Sequence, residues 1–215
     1  MDAIPIAEPL PLDPFESLTR GLEQHGFAVQ PDGLPADVAL ALTAYASSTG
    51  AGDYHAATVG RGADRQRNRF VRRDLIHWID ERNPALAPWR AWTESLRADL
   101  NRKLFLGLFS FESHLAHYRP GDFYRTHVDA FKGEANRIVS LACYLNDGWT
   151  AGDGGELVLH TEFGEVTVPP VHRTVVLFLS EEIPHEVKPA RCDRYSVTGW
   201  FRLNSSGLDR VDPPR

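Results

Sequence analysis

The sequence predicts an α+β fold that is mainly β, with a double-stranded β-helix (jelly roll) core and N-terminal helices packed on one of its sheets. Two observations carry this. Apolar residues recur at helical spacing only in the first half of the chain. After Phe109 the pattern changes to eight short β-like runs at 111–118, 123–130, 137–145, 156–161, 165–168, 173–179, 185–188 and 194–203, separated by Gly, Pro, Asn and Asp. Short strands at such regular spacing suit a sandwich or barrel, and eight of them suit a double-sheet jelly roll.

The first helix is expected from Phe15 to His25, where Phe15, Leu18 and Leu22 fall on one face and Gly26 can stop the helix. A second follows from Pro35 to about Ala46, with a proline suited to the first helical position and Val38, Leu40, Leu42 and Tyr45 as its apolar positions. The third and longest runs from about Leu86 to Leu106, with Trp89, Trp92, Leu96, Leu100 and Leu104 at helical spacing. Residues 15–203 are read as a single domain, in which 15–110 supply helical support and a substrate loop and 111–203 supply the core. Residues 1–14, with four prolines, and the tail 204–215 are expected to be flexible.

Composition narrows the function. Hydrophobic residues make up 42% and charged residues 24%, as in a soluble globular protein, and no segment has the apolar length to cross a bilayer. The start lacks a basic stretch followed by an apolar block, so a cytoplasmic location is expected. Two cysteines make neither a disulfide framework nor a thiolate zinc site. A net charge of −6 argues against nucleic acid as partner, since phosphate neutralisation needs a basic surface. The exception is local: Arg61, Arg65, Arg67, Arg69, Arg72 and Arg73 crowd one short stretch.

His127-Val128-Asp129 falls in the second expected strand, where residues two apart project to one side and can share an ion. With nine histidines in the chain, one such pair is no surprise, and a surface pair is the alternative. His185 follows Pro184 at the start of the seventh strand, expected to face His127 across two closely packed sheets. Two histidines and a carboxylate make the facial triad of non-haem Fe(II) oxygenases, which leaves coordination positions open for a 2-oxo acid and dioxygen. A closed zinc site would want four ligands, usually with cysteine. Arg194 opens the last strand, and alternation puts Arg194, Ser196, Thr198 and Trp200 on one face. An arginine inside a barrel needs an anion, and the distal carboxylate of 2-oxoglutarate fits a guanidinium fork.

From His117 to Arg202 the chain resembles the 2-oxoglutarate and Fe(II) oxygenases, and within them the prolyl hydroxylases related to the hypoxia-sensing enzymes of animals. The resemblance rests on His117-Tyr118-Arg119-Pro120-Gly121, His127-Val128-Asp129, Arg137 through Ser140, Cys143 through Asn146, Gly154 through Leu157, Pro184 through Val187 and Arg194 through Phe201. Upstream, Arg72 through Ile79 looks like the strand that follows the family's mobile substrate loop. The resemblance implies His127, Asp129 and His185 as iron ligands and Arg194 as partner of the 2-oxoglutarate C5 carboxylate, with Tyr144 and Thr198 as hydroxyl donors beside it. Val187, Leu157 and Trp200 would wall the co-substrate and Tyr118 would stand near the metal as a catalytic-site tyrosine. For Tyr118, Tyr144 and Trp200, ordinary core packing is the alternative. Arg137, Arg73 and Asp74 would touch the substrate. Fe(II), 2-oxoglutarate and O2 are the implied cofactors, with ascorbate as an accessory reductant.

Two departures from the animal pattern stand near the mouth: Arg119 is inserted before the Pro-Gly turn, and Asp122-Phe123-Tyr124 replaces a glycine-rich stretch. The partner implied is a protein carrying a target proline, docked by the Arg-rich 55–73 loop, with no nucleic acid and no membrane. A solvated charged loop is the alternative for that stretch. Two other functions remain open: the same chemistry on a free amino acid or small metabolite, and a cupin-like protein that binds metal without turnover. Retention of Arg194 and Tyr144 opposes the latter, which has no use for a 2-oxoglutarate clamp.

Overall fold

The computed structural model describes residues 13–57, 70–80, 82–130 and 136–204. The first fourteen residues, the C-terminal tail and Arg61, Arg65, Arg67 and Arg69 therefore lie outside the described residues, apart from 13–14 and 204. Three helices come first, at α1 Glu16–His25, α2 Ala36–Ser48 and α3 Ala87–Leu104. Helix α1 buries Leu18 and Leu22 and stops at Gly26, whose φ of 74° lets its N–H close onto the Leu22 carbonyl. Helix α3 buries Trp89, Trp92, Leu96 and Leu100 and ends two residues short of the expected Leu106, where Phe105 turns left-handed at φ 54°.

The strands are β1 Phe27–Gln30, β2 His55–Ala56, β3 Leu75–Trp78, β4 Ser110–Tyr118, β5 Tyr124–His127, β6 Arg137–Tyr144, β7 Leu157–Thr161, β8 Gly164–Val168, β9 Val175–Leu179, β10 His185–Val187 and β11 Arg194–Arg202. They form a seven-stranded sheet in the order β1-β9-β6-β11-β4-β3-β2 and a four-stranded sheet in the order β5-β10-β7-β8. Every ladder between them is antiparallel. From β4 onward the chain passes back and forth between the sheets, pausing only for the β7–β8 hairpin.

Alternation decides which core each residue enters. Leu115, Val139, Leu141, Cys143, Val197 and Phe201 pack with the three helices on the outer face of the larger sheet. Ala116, Tyr118, Ala142, Tyr144, Val176 and Phe178 point the other way and meet Leu157, Leu159 and Val187 of the smaller sheet. The expected packing of helices on one sheet is thus observed. Strand β1 was not expected, and it exists by pairing along the edge of β9. Among the described residues, no helix is long and apolar enough to cross a membrane.

Candidate metal centre and its anion pocket

His127 closes β5 and His185 opens β10, and the two are cross-strand partners in the smaller sheet. The expectation that they face one another across two sheets is therefore corrected. Directly opposed residues of one antiparallel pair lie about 5 Å apart at Cβ, whereas packed sheets stand about 10 Å apart, so one ladder is the shorter way to bring two ligands to one ion. Asp129 lies beyond the end of β5, which stops three residues before the expected boundary at 130. The backbone N–H groups of Asp129 and Ala130 both donate to the Ser180 carbonyl, at 3.1 and 3.2 Å, and this turn swings the carboxylate toward the histidines.

His127, Asp129 and His185 bring one ligand atom each within 4.8 Å of one another. Nε2 of His127 is 3.6 Å from Oδ1 of Asp129, and Nε2 of His185 is 3.7 Å from Oδ2. Each Nδ1 meets a carbonyl, that of Arg125 at 2.8 Å and that of Ile183 at 3.1 Å. A carbonyl only accepts, so both imidazoles carry their proton on Nδ1 and aim the Nε2 lone pair at the shared point. Burial pushes the His185 imidazole down to about 4, which keeps it a neutral ligand. Burial opposes ionisation of Asp129 as well, but the two imidazoles and a hydrogen bond from the Ser140 hydroxyl outweigh it and hold the carboxyl well below the usual range. That hydroxyl donates to Oδ2 at 2.6 Å and is itself 2.9 Å from the Ser180 hydroxyl.

Arg194 starts β11 and is only 3% exposed. Its Nε donates to the Gly155 carbonyl at 2.8 Å and its Nη1 to the Ser196 hydroxyl at 3.2 Å. The rings of Tyr118 and Tyr144 flank the guanidinium at 4.8 and 5.1 Å. Among the described residues no carboxylate lies within ion-pair distance of it, and the buried Tyr144 hydroxyl has no hydrogen-bond partner. A buried cation without an anion, beside an unsatisfied phenol, fits a carboxylate ligand. Val187 and Leu157 are register partners on the facing sheet and Thr198 is half-buried two residues beyond Ser196, so the expected lining converges on the intersheet space. The donor set of the triad, two imidazoles and one carboxylate, fits a non-haem Fe(II) ion with open positions.

The residues expected at the substrate form two ion-paired groups at the rim. Arg137 bonds Glu112 through Nε at 3.1 Å and Nη2 at 2.7 Å and lies 3.5 Å over the Trp200 ring. Asp74 is buried and grips Arg72 bidentately at 2.8 and 2.6 Å, while exposed Arg73 stacks on Phe123 at 5.0 Å. Ser140, Ser180 and Tyr124 were not anticipated in the sequence. Tyr124 stacks on His127 with ring centres 3.5 Å apart and lies 4.1 Å beneath the Arg72 guanidinium. Strict alternation puts residues 124 and 127 on opposite faces. Here β5 spends three steps where β10 spends two, between His127↔His185 and Tyr124↔Val187, and the extra residue brings both rings to one side.

The model of the 2OG-Fe(II) oxygenase superfamily matches residues 113–202. A crystal structure of a Pseudomonas putida prolyl-4-hydroxylase superimposes with a TM-score of 0.78 at 42% identity, over 86% of this chain and 97% of that one. A Trichoplax adhaerens prolyl hydroxylase in complex with a hypoxia inducible factor oxygen degradation domain peptide fragment gives 0.74 at 28% identity, over 89% and 92%. Human Egl nine homolog 1 is 31% identical over 147 residues, 62% of this chain, and the chain spans only 34% of that longer protein.

Proposed function

Because the chain belongs to the 2OG-Fe(II) oxygenase superfamily, on its prolyl hydroxylase side, we propose that it hydroxylates a prolyl residue of a protein substrate and converts 2-oxoglutarate to succinate and CO2. We read the core as a double-stranded β-helix, supported by eight strands from β4 to β11 that contribute β9-β6-β11-β4 to one sheet and β5-β10-β7-β8 to the other. The observation that carries the chemistry is Arg194, buried with no anionic partner among the described residues, beside the Tyr144 hydroxyl that is likewise unsatisfied there, and on the same intersheet space as the triad.

His127, Asp129 and His185 would hold the iron on one face, and Ser140 and the two carbonyls beneath the imidazoles would keep the ligand atoms aimed. Arg194 and Tyr144 would orient 2-oxoglutarate through its distal carboxylate, with Thr198 beside them and Val187 and Leu157 as apolar walls. Bound together, Fe(II), 2-oxoglutarate and O2 supply an oxidative decarboxylation that leaves one oxygen atom for a substrate C–H bond. Buried Tyr118, whose ring lies 4.8 Å from the Arg194 guanidinium, would screen it from water. The peptide held by the Trichoplax relative supports a macromolecular substrate, which would approach past Arg137 and Arg72.

The direct test is Fe(II)-dependent succinate release, measured with iron content on the same samples. The wild-type chain should release succinate and bind one iron. Asp129→Ala should do neither, and full turnover with stoichiometric iron in that variant would remove the proposed centre.

A further inference from the structure

On the inner face of the larger sheet, close to the serine that anchors Asp129, two buried polar atoms have no hydrogen-bond partner among the described residues: Nδ1 of His114 and Nε1 of Trp200. The residues are 3% and 7% exposed. Both point into the intersheet space. His114 alternates with Ala116 and Tyr118, which face the smaller sheet, and Trp200 alternates against Val197 and Phe201, which face the helices. In register, Trp200 lies beside Ser140, and His114 lies between Thr198 and Trp78. The His114 and Trp200 ring centres are 5.4 Å apart. Trp78, 38% exposed, touches both at 5.2 and 6.3 Å and connects the pair to solvent.

The neighbouring charges are already engaged. Glu112 holds Arg137, Arg137 covers the face of Trp200, and Arg72 is clamped by Asp74. Burial first, then Arg72 and Arg137, push the His114 pKa down to about 3 against the opposing influence of Asp129. At any working pH, then, the imidazole is neutral and the indole only donates. Buried polar groups are normally hydrogen-bonded, so two unsatisfied ones in contact indicate a ligand with hydrogen-bonding groups a few ångströms apart. A peptide unit has that form: its carbonyl accepts and its N–H donates. A proline contributes no N–H, so the donor must come from the residue after it.

We propose that His114 and Trp200 form a subsite for one peptide unit of the substrate main chain, the Trp200 Nε1–H donating to a carbonyl and His114 Nδ1 accepting an N–H. His114 then reads the backbone beside the target rather than the target ring. The proposal rests on the protein-substrate reading above, and its test separates the two.

The full chain is loaded with 2-oxoglutarate and zinc(II), which does not turn over, and the indole N–H resonance of Trp200 is assigned with Trp200→Phe. The probes are acetylproline methylamide, acetylalanine methylamide and acetylproline dimethylamide, which lacks the N–H. The methylamides should shift the Trp200 resonance, and His114→Leu should weaken them about tenfold, the loss of one hydrogen bond. His114→Gln, which retains an acceptor, should recover most of that loss. The dimethylamide should bind wild type about as weakly as the methylamide binds His114→Leu, and combining both changes should add little. The wild-type comparison of the two proline probes stands even if His114→Leu does not fold. A response to the alanine probe alone would contradict the prolyl reading and leave the subsite intact. No shift with any amide, as when the two atoms hold only water, would overturn the proposal. So would equal affinity for methylamide and dimethylamide, or a matching loss of 2-oxoglutarate affinity in His114→Leu, which would give the pair to the co-substrate.

Discussion

Single residues at this site do separable jobs, and their substitution should separate the measurements. Ser140 is not a metal ligand but fixes the carboxylate of one, Asp129, at 2.6 Å. Ser140→Ala should lower iron affinity about 10–100-fold, the usual effect of removing such a support, while the Fe(II)-saturated enzyme keeps its 2-oxoglutarate affinity. Arg194→Ala should do the reverse. Removing one partner of a buried charge pair costs about 3–5 kcal/mol, at least a hundredfold in affinity, and anaerobic titration of the Fe(II)–2-oxoglutarate absorption reads it directly. Unchanged 2-oxoglutarate affinity would take Arg194 out of the pocket. Such supports are hard to read from sequence. Arg194 was legible because a cation on an inward face demands an explanation, whereas a serine on the strand after the ligand it holds carries no signal until the fold brings it there.

Elements explain which parts of the chain could be read and which could not. Strands β4 to β11 lie within three residues of their expected bounds because each lies in an alternating or continuously apolar run closed by Gly, Pro, Asn or Asp. Strands β1 and β2, at four and two residues, carry no such pattern and exist only by pairing with a neighbour. The extra residue in β5 was equally invisible, and it brings Tyr124 onto His127. Glycine pairs are more legible. Gly154 has φ +68°, and a Cβ there would sit 2.5 Å from the Pro189 carbonyl oxygen, while the next residue, Gly155, gives its carbonyl to Arg194. Gly154→Ala should therefore destabilise the fold by more than about 1 kcal/mol and weaken 2-oxoglutarate binding together. Thermal unfolding and the same titration check it; a variant with wild-type values in both would mean that this turn does not set the arginine.

At the scale of the molecule, the jelly-roll expectation followed from strand count and spacing, but the partition of ligands did not, since nothing in a strand list says that the second and seventh strands are neighbours in one sheet. Burial of the inner-face histidines gives the fold a pH signature. His114 and His185 titrate at about 3 and 4 in the folded chain, below the unfolded value near 6.5, so the unfolded chain binds the extra protons between those limits. Stability of the metal-free protein should hold above pH 6.5 and fall as pH drops toward 4, by up to about 1.4 kcal/mol per pH unit for each histidine. Denaturant unfolding across that range tests it, and a flat profile would mean that these imidazoles are not buried neutral. The central claim is tested most directly by incubating the enzyme with Fe(II), 2-oxoglutarate and cell lysate and searching the proteome for an addition of about 16 Da, one oxygen atom. The expected result is that addition on a prolyl residue, dependent on 2-oxoglutarate and absent with His185→Ala; consumption of 2-oxoglutarate with no prolyl residue modified would contradict it.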